Sequence, residues 1–423
     1  MDRYVELLKK CGVETWFIRE EGRNTVELYF IKKNLDMRRI NNTVDSTISV
    51  YADVEKDGTK YRGCSDIIVD SSMKDEEIER RIMDAKYAAG FALNPFYELP
   101  APEKSECVVK DSDLNEKSLS EIAESFCTAV YSEDNETSSF INSFELFVRE
   151  IHCRMRSSQG TDVSYVKRKV SGEFVAQSKE PQDVETYQDF DFDTMALSEI
   201  KKLVKDTLAL TKDRASATGM PKKGEYDVLL SDKYVPQIFA FYAERAHAAY
   251  IYPGYSNYEV GKNIQGDEVS GEYLDMDFVP SNPFNEEGIK MVERPFVKEG
   301  VIKTLHGTQR LSYYIGIPQI GTYDKLRVRV GKSAFDDMKK NCLHVVNFSD
   351  FQVDALDSSF KGEIRLAYLY DDKGNKTCLT GGSVNGNLMK SQTEFEFSKE
   401  SQKLSSFEGP MAVKLKNVAV AGE

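Results

Sequence analysis

The segment 224-GEYDVLLSDKYVPQIFAFYAERAHAAYIYPGYSNYEVG-261 decides how the chain is read. Tyr226 to Leu230 reads as a strand, Ser231-Asp232 as a turn, and residues 234–251 as one helix. Val235, Ile238, Phe239, Phe241, Tyr242, Ala246, Ala249 and Ile251 make that helix apolar around most of its circumference. A helix with so little polar face is surrounded by protein. Glu244, Arg245 and His247 nevertheless sit near its middle, so it is either a satisfied core element or the floor of a site.

Downstream of this helix the chain is strand-rich. Leu326, Val328 and Val330 alternate with Arg327 and Arg329; Ile364, Leu366, Tyr368 and Tyr370 line one face of a later run; Val413, Leu415, Val418 and Val420 finish the chain. Many strands with Gly-rich turns around one apolar helix imply a barrel-like or sandwich domain wrapped about it, spanning 224–423. Upstream, a helix at 2–11 precedes β runs at 13–18, 25–31, 46–54 and 61–69. A helix to about residue 93 follows, opened by a capping-box-like Ser72/Asp75 pair. The order then recurs: a helix at about 119–130, β runs near 140–156, 164–170 and 173–178, and a helix at about 194–210. The expectation is an α+β fold, with an N-terminal region (1–214) built of two helix–strands–helix units (about 1–102 and 103–214). The Gly- and Pro-bearing stretch 215–223 reads as a linker.

The totals bound the function. Seventy acids against 56 bases give a net charge of -14. That argues against a nucleic-acid or anionic-membrane partner, while leaving room for a local basic patch. No run of apolar residues is long enough to span a membrane. The start, MDRYVELLKKCGVE, lacks the pattern of a signal peptide, so a cytoplasmic location is expected. Seven widely spaced cysteines without a CxxC pair fit a reducing compartment and give no paired-cysteine zinc site.

Several ordered pieces resemble the TldD/PmbA proteins, relatives of zinc metallopeptidases. They are GEYDVLLS (224–231) leading into the helix, SNPFNEEGIKMVERPFVKEGVIKTLHGTQRLSYYIGIPQIG (281–321), FSDFQVDALDSSFKGEIRLAYLYDDKG (348–374), TGGSVNGNL (380–388) and GPMAVKLKNVAVAG (409–422). The first hundred residues are similar in pattern. The resemblance implies an N-terminal α+β region and a C-terminal β domain enclosing a helix. In the catalytic branch that helix carries His-Glu-x-x-x-His. Its two histidines and a late cysteine bind zinc, and the glutamate is the general base. The PmbA (TldE) branch lacks the motif and pairs with TldD as a heterodimer.

The aligned hexapeptide here is Tyr242-Ala243-Glu244-Arg245-Ala246-His247. Tyr242 stands for the first histidine, Ala243 for the base, and His247 alone remains. Residues 391–410, where the third ligand would fall, hold no cysteine. The resemblance therefore implies a PmbA/TldE-like subunit of a peptidase system acting on peptides or unfolded proteins. It would have no catalytic residue or metal ligand of its own, and zinc would come only with a partner subunit or an unrecognised ligand set. A dimer, with itself or with a TldD-like subunit, is expected.

Other candidate residues also have plainer roles. Glu244 and His247 have Glu-x-x-His spacing, which can face one side of a helix; the plain reading is a helix hydrogen bond. His306 and His344 could approach His247. Tyr250, Tyr252, Tyr255 and Tyr258 form an aromatic cluster that packs a core or faces peptide or partner. Gly381, Gly382 and Asn385 read as tight turns, with a place near a peptide channel implied by the resemblance. On a strand His152 and Cys153 point to opposite faces. Cys378 reads as a small buried residue before a reactive thiol. Asp189, Asp191 and Asp193 alternate with Phe190 and Phe192, which puts the acids on one solvated face. Two alternatives to the accessory subunit stay open: a peptidase in its own right with a relocated metal or thiol site, and a peptide-binding protein outside proteolysis.

Overall fold

A computed structural model describes residues 1–135 and 138–423. The first unit is α1 (Asp2–Lys10), β1 (Trp16–Ile31), β2 (Asn34–Lys56), β3 (Thr59–Asp70) and α2 (Asp75–Ala89). After a short β4 (Val108–Val109), the second is α3 (Leu119–Ser132), β5 (Ser139–Ser157), β6 (Asp162–Ser178), β7 (Val184–Phe192) and α4 (Leu197–Ser216). The two units join along their first strands. β1 and β5 pair antiparallel from Phe17↔Ser157 to Ile31↔Ser143, giving one sheet in the order β3-β2-β1-β5-β6-β7. β4 adds beside β6 in parallel. Each helix pair covers its own strands: Leu8, Ile78 and Ile82 pack on Ile18, Ile48 and Val50, while Phe126, Ile200 and Val204 pack on Phe144, Val148 and Phe174. Burying such a side chain stabilises the fold by about 1.5–3 kcal/mol.

The strands outrun the sequence reading. The polar stretch between the β runs at 13–18 and 25–31 belongs to β1, where Arg19, Glu21 and Arg23 pair with one another and Arg23 Nη1 reaches Asp45 at 2.9 Å. The runs at 164–170 and 173–178 are likewise one strand. Gly172 joins them, because an added Cβ there would lie 2.6 Å from the Phe190 ring. The capping box expected at Ser72 does not form. α2 starts at Asp75 behind Lys74, and the Ser72 amide instead donates to Asp70. The capping box belongs to α3, where the Ser118 and Glu121 side chains satisfy each other's backbone amides.

The C-terminal half begins with β8 (Gly224–Ser231), α5 (Val235–Ala246) and α6 (Ala248–Ile251). β9 (Met276–Val279), β10 (Arg294–Lys298), β11 (Val301–Ile302), α7 (Gln309–Tyr314), β12 (Lys325–Val328) and α8 (Phe335–Met338) follow. Then come β13 (Leu343–Val353), β14 (Ser359–Tyr370), β15 (Lys376–Leu379), β16 (Ser383–Asn387) and α9 (Leu388–Ser391). The chain closes with β17 (Glu396–Phe397), β18 (Ser401–Leu404), β19 (Phe407–Pro410) and β20 (Ala412–Ala421). β13, β8, β20, β16 and β14 pair in that order, and β14 pairs back to β13, so this sheet closes into a barrel. A second sheet, β11-β10-β9-β12-β19-β18, stands beside it. Ile238, Phe239, Phe241, Tyr242 and Ala246 of α5 are all buried in the core these sheets share, as the apolar circumference of the helix requires. The whole is a mixed α+β fold with one barrel and a half-barrel sheet.

The single helix expected over 234–251 is in fact two. His247 leaves the helix with extended backbone (φ -77°, ψ 137°), forms a parallel bridge with His306, and caps α6. Among the described residues, no helix is long and apolar enough to cross a membrane.

Candidate functional site

The break at His247 organises the site. His247 and His306 rings meet edge to face with centroids 5.0 Å apart, so the approach of these two histidines does occur. The roles of their nitrogens are fixed by backbone partners. The Tyr323 amide can only donate, so His306 Nδ1 accepts it at 3.0 Å. His306 Nε2 therefore carries the proton and donates to the Ala243 carbonyl at 2.9 Å. In the same way His247 Nδ1 accepts the Ala249 amide at 3.0 Å, leaving Nε2–H to reach Thr322 Oγ1 at 3.3 Å. Burial pushes His247 below its ordinary range and holds His306 at about 4. Both rings are neutral at physiological pH.

Tyr242 is fully buried, and burial pushes its hydroxyl well up. That hydroxyl donates to Gln392 Oε1 at 3.0 Å. Gln392 Nε2 donates to the Ile264 carbonyl at 2.7 Å, and Gln265 Nε2 donates to the Gln392 carbonyl at 2.8 Å. A satisfied polar network thus ties α5 to the segment after α9, within the stretch where the resemblance would put a cysteine. Sequence reasoning missed Gln265 and Gln392, because an isolated glutamine carries no local signal.

The zinc that the resemblance implies does not fit these residues. A histidine ligand must turn an unprotonated nitrogen to the metal. His247 and His306 commit their lone pairs to backbone amides, Tyr242 is locked to Gln392, and Ala243 has no base to offer. Among the described residues, no three His, Cys, Asp or Glu side chains are grouped to share a metal.

The remaining candidates separate. Glu244 is exposed at the surface and accepts from the Tyr250 hydroxyl at 3.3 Å, and partial desolvation raises its pKa. It shares only a backbone hydrogen bond with His247. Tyr252 and Tyr255 are exposed, and Tyr252 packs on Tyr314, whose hydroxyl donates to the Pro95 carbonyl at 2.6 Å. Tyr258 is buried under the Arg245 guanidinium. Gly381 and Gly382 sit against Met220, Pro221 and Ala421, and a Cβ on Gly382 would lie 2.3 Å from the Ala421 carbonyl. Asn385 is exposed on β16. His152 is exposed and Cys153 buried, on opposite faces of β5. Burial, then the Asp213 carboxylate, push the Cys378 thiol up, away from reactivity.

His344 lies beside Ser231 and Asp232, a composition that suggests an activated serine. The geometry runs the wrong way. The Ser231 hydroxyl donates to Asp232 at 2.7 Å, so His344 Nε2 at 3.0 Å is the donor to Ser231 and cannot take its proton. The acids of 189–193 also differ from expectation. Only Asp189 is exposed; Asp191 and Asp193 are half-buried and bind Lys169 and Lys110 at 2.5 and 2.8 Å.

Residues 223–422 match the family model described as the PmbA/TldA metallopeptidase C-terminal domain. Among solved structures, the chain is similar to TldE from Thermococcus kodakarensis, with TM-score 0.78 and 15% identity over 99% of this chain and 100% of that one. A Thermotoga maritima protein described as a candidate modulator of a DNA gyrase gives TM-score 0.77 and 14% identity over 99% of each chain. A Bacteroides thetaiotaomicron protein described in the same way gives 0.76 and 14%, over 100% of this chain and 98% of that one. A comparison with curated proteins finds no match.

Proposed function

We propose that this chain, whose residues 223–422 match the PmbA/TldA metallopeptidase C-terminal domain and whose fold is similar to that of TldE, is the TldE-like, non-catalytic member of a two-subunit peptidase system. The observation that carries this reading is the Tyr242–Gln392 hydrogen bond, together with the two histidines whose Nδ1 lone pairs are spent on backbone amides. The position that binds and activates in the catalytic branch is here a filled, neutral core. The chain contributes surface instead of chemistry.

Two surfaces suit that part. Residues 34–44 of β2 pair with β1 on one side, whereas β3 covers only residues 45–56. Among the described residues this leaves an open sheet edge carrying Leu35 and Ile40, 52% and 69% exposed. Such an edge takes an extended peptide by strand addition. Glu244, Tyr250, Tyr252 and Tyr255, beside the α5–α6 break, face the catalytic partner, in keeping with the enrichment of tyrosine in interfaces.

The test is reconstitution. The purified chain is combined with a TldD-type protein bearing an intact His-Glu-x-x-x-His, and hydrolysis of an unfolded peptide is followed alongside size-exclusion elution. Co-elution and hydrolysis by the pair, with none by this chain alone, is the expected result. Chelator-sensitive hydrolysis by the chain alone would sink the proposal.

A further inference from the structure

A cavity of about 130 Å³ lies where the N-terminal sheet meets the second sheet of the C-terminal half. Lys167 and Lys169 reach it from β6, Lys110 from the end of β4, and Lys325 from the start of β12, with the Ser405-Ser406 turn on the far side. In a chain of net charge -14 this gathering of lysines runs against the overall balance. The ammonium groups are not equally answered. Lys110 is held by Asp193 and Lys169 by Asp191. Lys167 has only the neutral Asn282 amide oxygen, at 2.7 Å. Lys325 is 8% exposed, and among the described residues its ammonium has neither a hydrogen-bond nor an ion-pair partner. Asp193 attracts it, but the Asp193 Oδ2 atom is already bound to Lys110.

Lys325 is largely buried, its ammonium opens only toward the cavity, and no carboxylate is bound to it; a counter-ion in the cavity would offset the cost of holding that charge there. We propose that this cavity binds a small phosphate-class oxyanion, either inorganic phosphate or the terminal group of a phosphomonoester, held chiefly by Lys325 and Lys167. The size admits one such group. The Ser405 and Ser406 hydroxyls line the same cavity and are free to donate to it. Asp324, whose Oδ1 atom accepts from Ser281 at 2.7 Å, and Asp191, whose Oδ1 atom has no hydrogen-bond partner among the described residues, also line it and oppose a multiply charged anion. Two lysines without carboxylate partners outweigh that opposition. Burial depresses both Lys325 and Lys167, and for Lys167 the neighbouring Lys169 and Lys110 add to the effect. A bound oxyanion relieves each cause.

The site needs no partner subunit, so its test stands apart from the reconstitution above. Isothermal titration of the full chain with sodium phosphate, and separately with glycerol phosphate, is compared with sodium chloride at equal ionic strength. One saturable site for either phosphate ligand, absent with chloride, is expected; the tighter of the two identifies the source. Lys325→Gln and Lys167→Gln are each expected to weaken binding at least tenfold. The second variant keeps the test decisive if the first fails to fold. Absence of saturable binding by the unaltered chain overturns the proposal, as does undiminished affinity in a folded Lys325→Gln protein.

Discussion

The Tyr242 hydroxyl hydrogen-bonds Gln392 Oε1 at 3.0 Å across 150 residues of sequence, and both side chains are cut off from solvent. A buried acceptor that loses its donor retains its desolvation cost, about 1–3 kcal/mol. Tyr242→Phe is therefore expected to destabilise the protein by about that amount. Urea unfolding should show a lower midpoint with an unchanged slope. A change within about 0.5 kcal/mol would mean that the network does not hold α5 in place.

Rebuilding the motif in sequence should not rebuild the metal site. The double variant Tyr242→His, Ala243→Glu restores the letters of His-Glu-x-x-x-His, but His247 still spends Nδ1 on the Ala249 amide and residues 391–410 still lack a cysteine. Elemental analysis after zinc loading is expected to find well under one equivalent. A stoichiometric, tightly held zinc would show that the backbone bonds at His247 yield readily.

Acid should weaken this fold through its histidines. Burial holds His306 at about 4 and His344 at about 3, against about 6.5 in an unfolded chain. Between those limits the unfolded chain binds protons that the folded chain refuses. The contribution is thus fully present above about pH 6.5 and is lost as pH falls toward each folded value. The slope approaches about 1.4 kcal/mol per pH unit for each histidine. Stability measured from pH 7 to 4 should fall less steeply in His344→Asn than in the unaltered protein; equal slopes would contradict the assignment.

The open edge of β2 gives a prediction that separates binding from folding. Ile40 is 69% exposed, so Ile40→Lys should change stability by no more than about 0.5 kcal/mol. A lysine on an edge discourages further strand pairing. Binding of an unfolded peptide, followed by fluorescence anisotropy, is expected to weaken roughly tenfold or more. Unchanged peptide affinity would move the binding surface away from this edge.

The repeated helix–strands–helix order was legible because each element carries its own apolar period. Helix α5 was legible for the same reason: Ile238, Phe239, Phe241 and Tyr242 cannot all be buried except in a surrounding core. Its end was not. Ala246-His247-Ala248-Ala249 contains nothing that breaks a helix, and the break comes from the bridge to His306, far along the chain. β1 was split in the reading because its middle is polar, whereas in the sheet those charges answer one another along β1 and across to Asp45 of β2. The lysine cavity had no signature at all. Lys110, Lys167 and Lys325 come from three distant segments, and no spacing within any of them announces the others.

The closed barrel also sets an order of events at the ribosome. β8 opens the domain, yet its antiparallel neighbour β20 comes last among the strands of this barrel in chain order. Until β20 emerges, the ring stays open and the apolar sides of α5 have no complete enclosure. The N-terminal sheet, finished by then, folds first, as nascent domains generally do. Loss of β20 would leave Val228 and Leu230 without the strand they pair with, so chains truncated before it are expected to be recognised and degraded instead of accumulating as partly working protein.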